Sequence, residues 1–131
     1  MRLIKNTQNT IIGSKNWFSG TVFIDPIKEP DERSAVGCAH VRFAPGAHTA
    51  WHKHPKAQTL YVTDGIGYVC RRGGEVETIR PGDVVFTEPN EEHWHGAAPD
   101  RFMAHIAVQE ADDKGRTVTW LSPVTDKEYR Q

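Results

Sequence analysis

Apolar residues in this chain fall in short runs rich in β-branched and aromatic side chains, each bounded by Gly, Pro, Asn or Asp. Residues 20–24, 39–43, 59–62, 83–86 and 104–108 are such runs, and the pattern predicts a strand over each. The turns Ala44-Pro45-Gly46, Arg72-Gly73-Gly74 and Arg80-Pro81-Gly82 punctuate them at the spacing of an all-β sandwich or barrel rather than of alternating βα units. Helix is expected only at the end, where Thr125-Asp126-Lys127-Glu128 has the T-x-x-E spacing of a capping box. Residues 28–35 are polar, contain Pro30 and read as an exposed loop.

With 131 residues the chain is expected to form one domain, 1–131. Sixteen basic and 17 acidic side chains are interspersed to a net charge of -1, which offers no footprint for nucleic acid or an anionic membrane. The amino-terminal residues lack the apolar stretch of a secretory signal, and no run approaches a membrane span, so a cytoplasmic protein is expected. Cys38 and Cys70 lie far apart, outside any C-x-x-C pair, and are read as reduced packing residues.

The chemistry rests on histidine placement. His52 and His54 are two apart, so on a strand both point to one face, and Gln58, Leu60 and Val62 continue that parity across the Pro55 turn. His93 and His95 repeat the H-x-H spacing. Two such segments facing each other inside a barrel would converge neutral imidazoles and a side-chain oxygen on one point, the donor set of a first-row divalent metal. Either pair alone also fits an exposed strand without any role.

The wider spacing resembles a known family. Gly46, His52, His54, Gln58 and Gly65 follow the first cupin motif, G-x5-H-x-H-x3-E-x6-G, over residues 46–65, with Gln58 in place of the carboxylate. The second motif is matched over 82–97 by the interval from Gly82 to His93. Pro89 sits one place late, Glu91 stands where the second glycine would and Ala97 replaces asparagine. The resemblance implies a small jelly-roll-type β-barrel. Segments such as Thr49-Ala50-Trp51-His52-Lys53-His54-Pro55 and His93-Trp94-His95-Gly96-Ala97-Ala98-Pro99 are similar to those of small bacterial manganese cupins with (R)-selective hydroxynitrile lyase activity. That likeness implies His52, His54, Gln58 and His93 as metal ligands, with His95, His105 and Gln109 lining the pocket as catalytic residues. It also implies manganese, although imidazole and amide oxygen accept iron, cobalt, nickel and zinc as well.

Strand parity agrees with this carry-over. Met103, His105, Ala107 and Gln109 share one face, which sends Ala104, Ile106 and Val108 toward an opposite packing layer. Gly37, Ala39, Val41 and Phe43 form a small apolar face, and Ala39, Val41 and Thr49 are assigned to the substrate pocket. Cys38, His40 and Arg42 then point outward, His40 to a surface or interface. His48, in the turn at Gly46, is expected in solvent. Trp51 and Trp94 should pack outside the cavity, and Trp17 and Trp120 in the core.

Three neutral imidazoles and a neutral amide leave the charge of a dipositive ion unbalanced, which favours Lewis-acid chemistry over oxidation of the metal. With a histidine as base, the reaction that the resemblance implies is cleavage or formation of a cyanohydrin, R-mandelonitrile to benzaldehyde and HCN. The alternatives are a cupin dioxygenase and a non-catalytic cupin that binds a small molecule. The expected assembly is a homodimer or homotetramer.

Overall fold

The computed structural model describes residues 1–6 and 8–130. In chain order its strands are β1 (Ile11–Ile12), β2 (Phe18–Ser19), β3 (Val22–Lys28), β4 (Val36–Phe43), β5 (His48–Thr49), β6 (His52–Lys53), β7 (Gln58–Gly65), β8 (Gly67–Arg71), β9 (Glu77–Ile79), β10 (Val84–Thr87), β11 (His93–Ala97), β12 (Met103–Glu110) and β13 (Thr119–Trp120). Helix α1 (Asp126–Tyr129) follows, and the expected capping box is present, with the Thr125 hydroxyl accepting from the Glu128 amide and the Glu128 carboxylate accepting from the Thr125 amide. Among the described residues no helix is long and apolar enough to cross a membrane.

The all-β expectation holds. One sheet has the order β1-β3-β4-β12-β7-β10, and the other places β11 between β8-β9 on one side and the short strands β5 and β6 on the other, with β2 and β13 beyond them. Apolar side chains from both sheets meet between them: Val22, Val41, Phe43, Val62 and Met103 from the first, Ala47, Ile79 and Ala97 from the second. Removal of this surface from water drives the two curled sheets together. A second apolar cluster, Trp51, Cys70, Trp94, Val124 and Tyr129, lies on the far side of the second sheet under α1. Trp51 and Trp94 thus pack outside the cavity as expected.

Three expectations are corrected by the fold. His48 is only 6 % exposed, because the C-terminal segment returns over it and stacks the Tyr129 ring on its imidazole at 4.4 Å. Trp17, expected in the core, is 38 % exposed and stacks instead on Trp120 at the rim. The face carrying Ala104, Ile106 and Val108 is covered only in part: Ala104 is buried and Ile106 half-buried, but Val108 is exposed, as are Tyr61, Val84 and Phe86 on the neighbouring strands.

Candidate metal centre

The two motifs are joined by strand pairing. His93 on β11 is opposite His52 on β6, Gly96 is opposite His48 on β5, and Gln109 on β12 is opposite Gln58 on β7. A side chain at Gly96 would collide with His48 and the Ala47 carbonyl, so glycine there lets β11 lie close against β5. The turn before β11 departs from the sequence expectation. Asn90, not Glu91, takes the left-handed conformation that the motif's glycine supplies, with φ 63°. Its amide donates to the His54 carbonyl at 2.7 Å, tying the second motif to the first.

Three imidazoles are held in one tautomer by the backbone. Nδ1 of His52, His54 and His93 lies 2.9, 2.8 and 3.0 Å from the carbonyl oxygens of Ala50, Thr117 and Glu91. A carbonyl only accepts, so each Nδ1 carries the proton and each Nε2 presents a lone pair. His54 Nε2 is buried without a hydrogen-bond partner among the described residues. The Gln58 amide nitrogen donates to Gln109 Oε1 at 2.9 Å, which turns Gln58 Oε1 toward His93 Nε2 at 3.3 Å. Those two atoms are both acceptors. Buried acceptors facing each other and an orphaned imidazole nitrogen are what a cation between them would satisfy, so this donor set fits a divalent metal.

The geometry also changes the membership of the cluster. Ring nitrogens of His52, His93 and His95 lie within 4.8 Å of one another, all three residues being buried. His95, expected as a pocket residue, thus joins His52 and His93 in this trio, whereas His54, expected as a ligand, is not part of it. On its other side His95 Nδ1 is 3.1 Å from His105 Nε2, and its own backbone amide donates to the Thr49 hydroxyl at 3.2 Å. Burial is the main cause that lowers the pKa of every one of these groups: to about 4 for His93, to about 3 for His105, below the ordinary value for His54, and well below it for His52 and His95. All are neutral at pH 7, the form in which an imidazole offers a lone pair to a metal ion.

A cavity of about 160 Å³ opens onto the imidazoles. Its small apolar wall is Ala39, Val41 and Ala107, Phe43 packs edge-on to His95 at 5.8 Å, and Thr49, His105 and Gln109 also line it. The expected pocket residues are therefore brought together. A larger cleft of about 590 Å³, lined by polar side chains including Arg71, Glu75 and Glu77, touches the cluster only through His93, so the smaller cavity is the one in which the imidazoles converge. Four lining residues were not expected: Phe18, Ile24, Val118 and Trp120, the last with its ring 4.8 Å from that of His52. For Val118 and Trp120 the shared parity in Val118-Thr119-Trp120 was the available signal. His40, half-buried, lies outside the cavity.

The sequence profile of the cupin domain matches residues 39–108. The chain is 53 % identical over 119 residues to a protein of Granulicella tundricola named (R)-mandelonitrile lyase, covering 91 % of this chain and 90 % of that one. A cupin-like protein from Thermotoga maritima superposes with a TM-score of 0.85 at 37 % identity over 97 % of this chain and 96 % of its own. A cupin-2 domain from Rhodospirillum rubrum, 14 % identical, shares the fold with a TM-score of 0.73 over 99 % of this chain and 84 % of its own.

Proposed function

The chain belongs to the cupin family, and from that premise we propose that it is a metal-dependent hydroxynitrile lyase that cleaves and forms R-configured cyanohydrins such as mandelonitrile. The observation that carries this reading is a small cavity with an apolar wall at Ala39 and Val41 facing a set of neutral imidazoles, in a chain 53 % identical to a named (R)-mandelonitrile lyase. His52, His54, Gln58 and His93 would hold the ion, with His95 close enough to join them. When bound, a divalent metal such as manganese supplies Lewis-acid stabilisation of developing negative charge and lowers the pKa of a hydroxyl.

The remaining work falls to the chain's own residues. The aryl group of the cyanohydrin packs against Ala39 and Val41, which excludes water from the reacting carbon. The hydroxyl faces the His95–His105 pair, whose 3.1 Å contact lets one ring take the proton while the other shares it. As the C–C bond breaks, the O–H electron pair becomes the carbonyl π bond, cyanide leaves with the C–C pair, and the imidazole proton goes to cyanide as HCN. Gln109, which lines the cavity, keeps the Gln58 amide turned. Metal, base and wall are three different contacts around one carbon, which is the condition for choosing an enantiomer.

Racemic mandelonitrile, offered to metal-loaded and metal-free protein, tests this reading. Benzaldehyde release with R preference in the loaded protein alone is expected; no cleavage above the buffer background at several pH values rejects it. The same reading includes assembly as a symmetric dimer or tetramer in a cytoplasmic setting, checked by light scattering.

A further inference from the structure

Four consecutive residues near the carboxyl terminus alternate between two duties. The Thr117 carbonyl receives the Nδ1 proton of His54 at 2.8 Å. Val118 lines the cavity. Thr119 is exposed and pairs with Lys53. Trp120 lines the cavity and pairs with His52 across the β13–β6 ladder. The segment is tethered at both ends. Before it, the Asp112 carboxylate accepts from the Lys114 and Arg116 amides and from the Arg116 guanidinium. After it, the Leu121 amide donates to the Trp51 carbonyl and the Trp51 amide to Ser122. The Trp120 ring is also fixed from outside, stacked on Trp17 at 5.5 Å with an 11° interplanar angle and met edge-on by Phe18 at 5.5 Å.

We infer that this strap, Thr117 to Trp120, is the specificity-determining wall of the pocket: Val118 sets the size of the substituent admitted, and Trp120 provides the aromatic face on which a flat apolar group packs. The opposite wall, Ala39, Val41 and Ala107, belongs to β4 and β12 at the centre of the six-stranded sheet, where each side chain is fixed by pairing on both sides. Among the described residues the strap's strand pairs with β6 and not with the six-stranded sheet, so its side chains can vary without disturbing that sheet. A ring already clamped by Trp17 and Phe18 loses little freedom when a ligand packs on it. Because Thr117 orients His54 from the same segment, the wall is held in register with the ligand cluster. The inference rests on the cyanohydrin reading only for its choice of substrates.

The test compares Val118→Ala, Val118→Phe, Trp120→Leu and the exposed control Thr119→Ala with the parent protein, all at matched metal content by elemental analysis. Two quantities are read: benzaldehyde affinity by calorimetry, and the ratio of kcat/KM for mandelonitrile to that for acetone cyanohydrin. Val118→Phe should weaken benzaldehyde binding and lower the ratio at least about 10-fold, the scale on which a tight apolar pocket discriminates. Trp120→Leu should lower both, and Thr119→Ala neither. Val118→Ala should raise affinity for a bulkier aldehyde such as naphthaldehyde. If no cyanohydrin is turned over but benzaldehyde binds and Val118→Phe abolishes binding, the strap inference stands and the lyase reading fails. Unchanged affinity in both Val118→Phe and Trp120→Leu, or no benzaldehyde binding to the metal-loaded parent, overturns it. The Val118 variants decide the matter should Trp120→Leu not fold.

Discussion

His93 Nε2 and Gln58 Oε1 face each other at 3.3 Å as two acceptors, each fixed by a hydrogen bond on its far side, His93 to the Glu91 carbonyl and Gln58 to Gln109. Neither side chain can turn away without breaking that bond. Burial disfavours the alternative of protonating His93, whose pKa is lowered to about 4. A cation between the two removes the conflict, and the first prediction follows from it. His93→Ala and His54→Ala should each lower bound metal about 10-fold or more, while His40→Ala, outside the cavity, should leave it unchanged. Elemental analysis after dialysis checks this; equal loss in all three variants rejects the placement of the site.

Gln58→Glu should retain the metal and turn over more slowly. A carboxylate is at least as good a ligand as an amide oxygen, but its charge partly neutralises the ion and weakens its pull on a developing anion. Faster turnover at equal occupancy would contradict the argument that a neutral ligand serves Lewis acidity.

His105→Ala should keep metal and lose about 100-fold to 10,000-fold in kcat, the range attached to a positioned acid or base. His105 is fully buried against His95, and its ring packs 5.4 Å from Phe43, so the variant also opens a cavity. His105→Phe fills that space without restoring a proton acceptor and should be equally slow. Rate recovery in His105→Phe would assign the residue a packing role.

Acid should destabilise the metal-free protein. Burial lowers the folded pKa of His48, His52, His54, His93, His95 and His105, so below about pH 6.5 the unfolded chain binds more protons than the folded one. This contribution is fully present above that pH and is lost as pH falls toward the folded values, about 4 for His93 and about 3 for His105. The urea midpoint of the metal-free protein is expected to be level from pH 8 to 7 and to fall steadily from 6.5 to 5, with a slope of more than one proton. A level midpoint across that range would show that the histidines titrate alike in both states.

Much of the site was determined by the sequence alone, because alternation along a strand is a local property of the backbone. The spacing from Gly46 to Gly65 marked His52, His54 and Gln58, and parity put His105 with Gln109 on one strand face and Ala39 with Val41 on another, the two faces that meet at the cavity. What parity cannot supply is which distant segment arrives opposite a given face. His48 looked like a turn residue until Tyr129, 81 positions later, stacked on it. Trp120 read as core until the ladder with His52 placed it on the cavity wall. The left-handed residue is Asn90, whose amide reaches the His54 carbonyl, and His95 joins His52 and His93 where β11 pairs with β6. Each of these depends on pairing register between segments far apart in sequence, set by burial of both sheets at once, and only the folded chain fixes it.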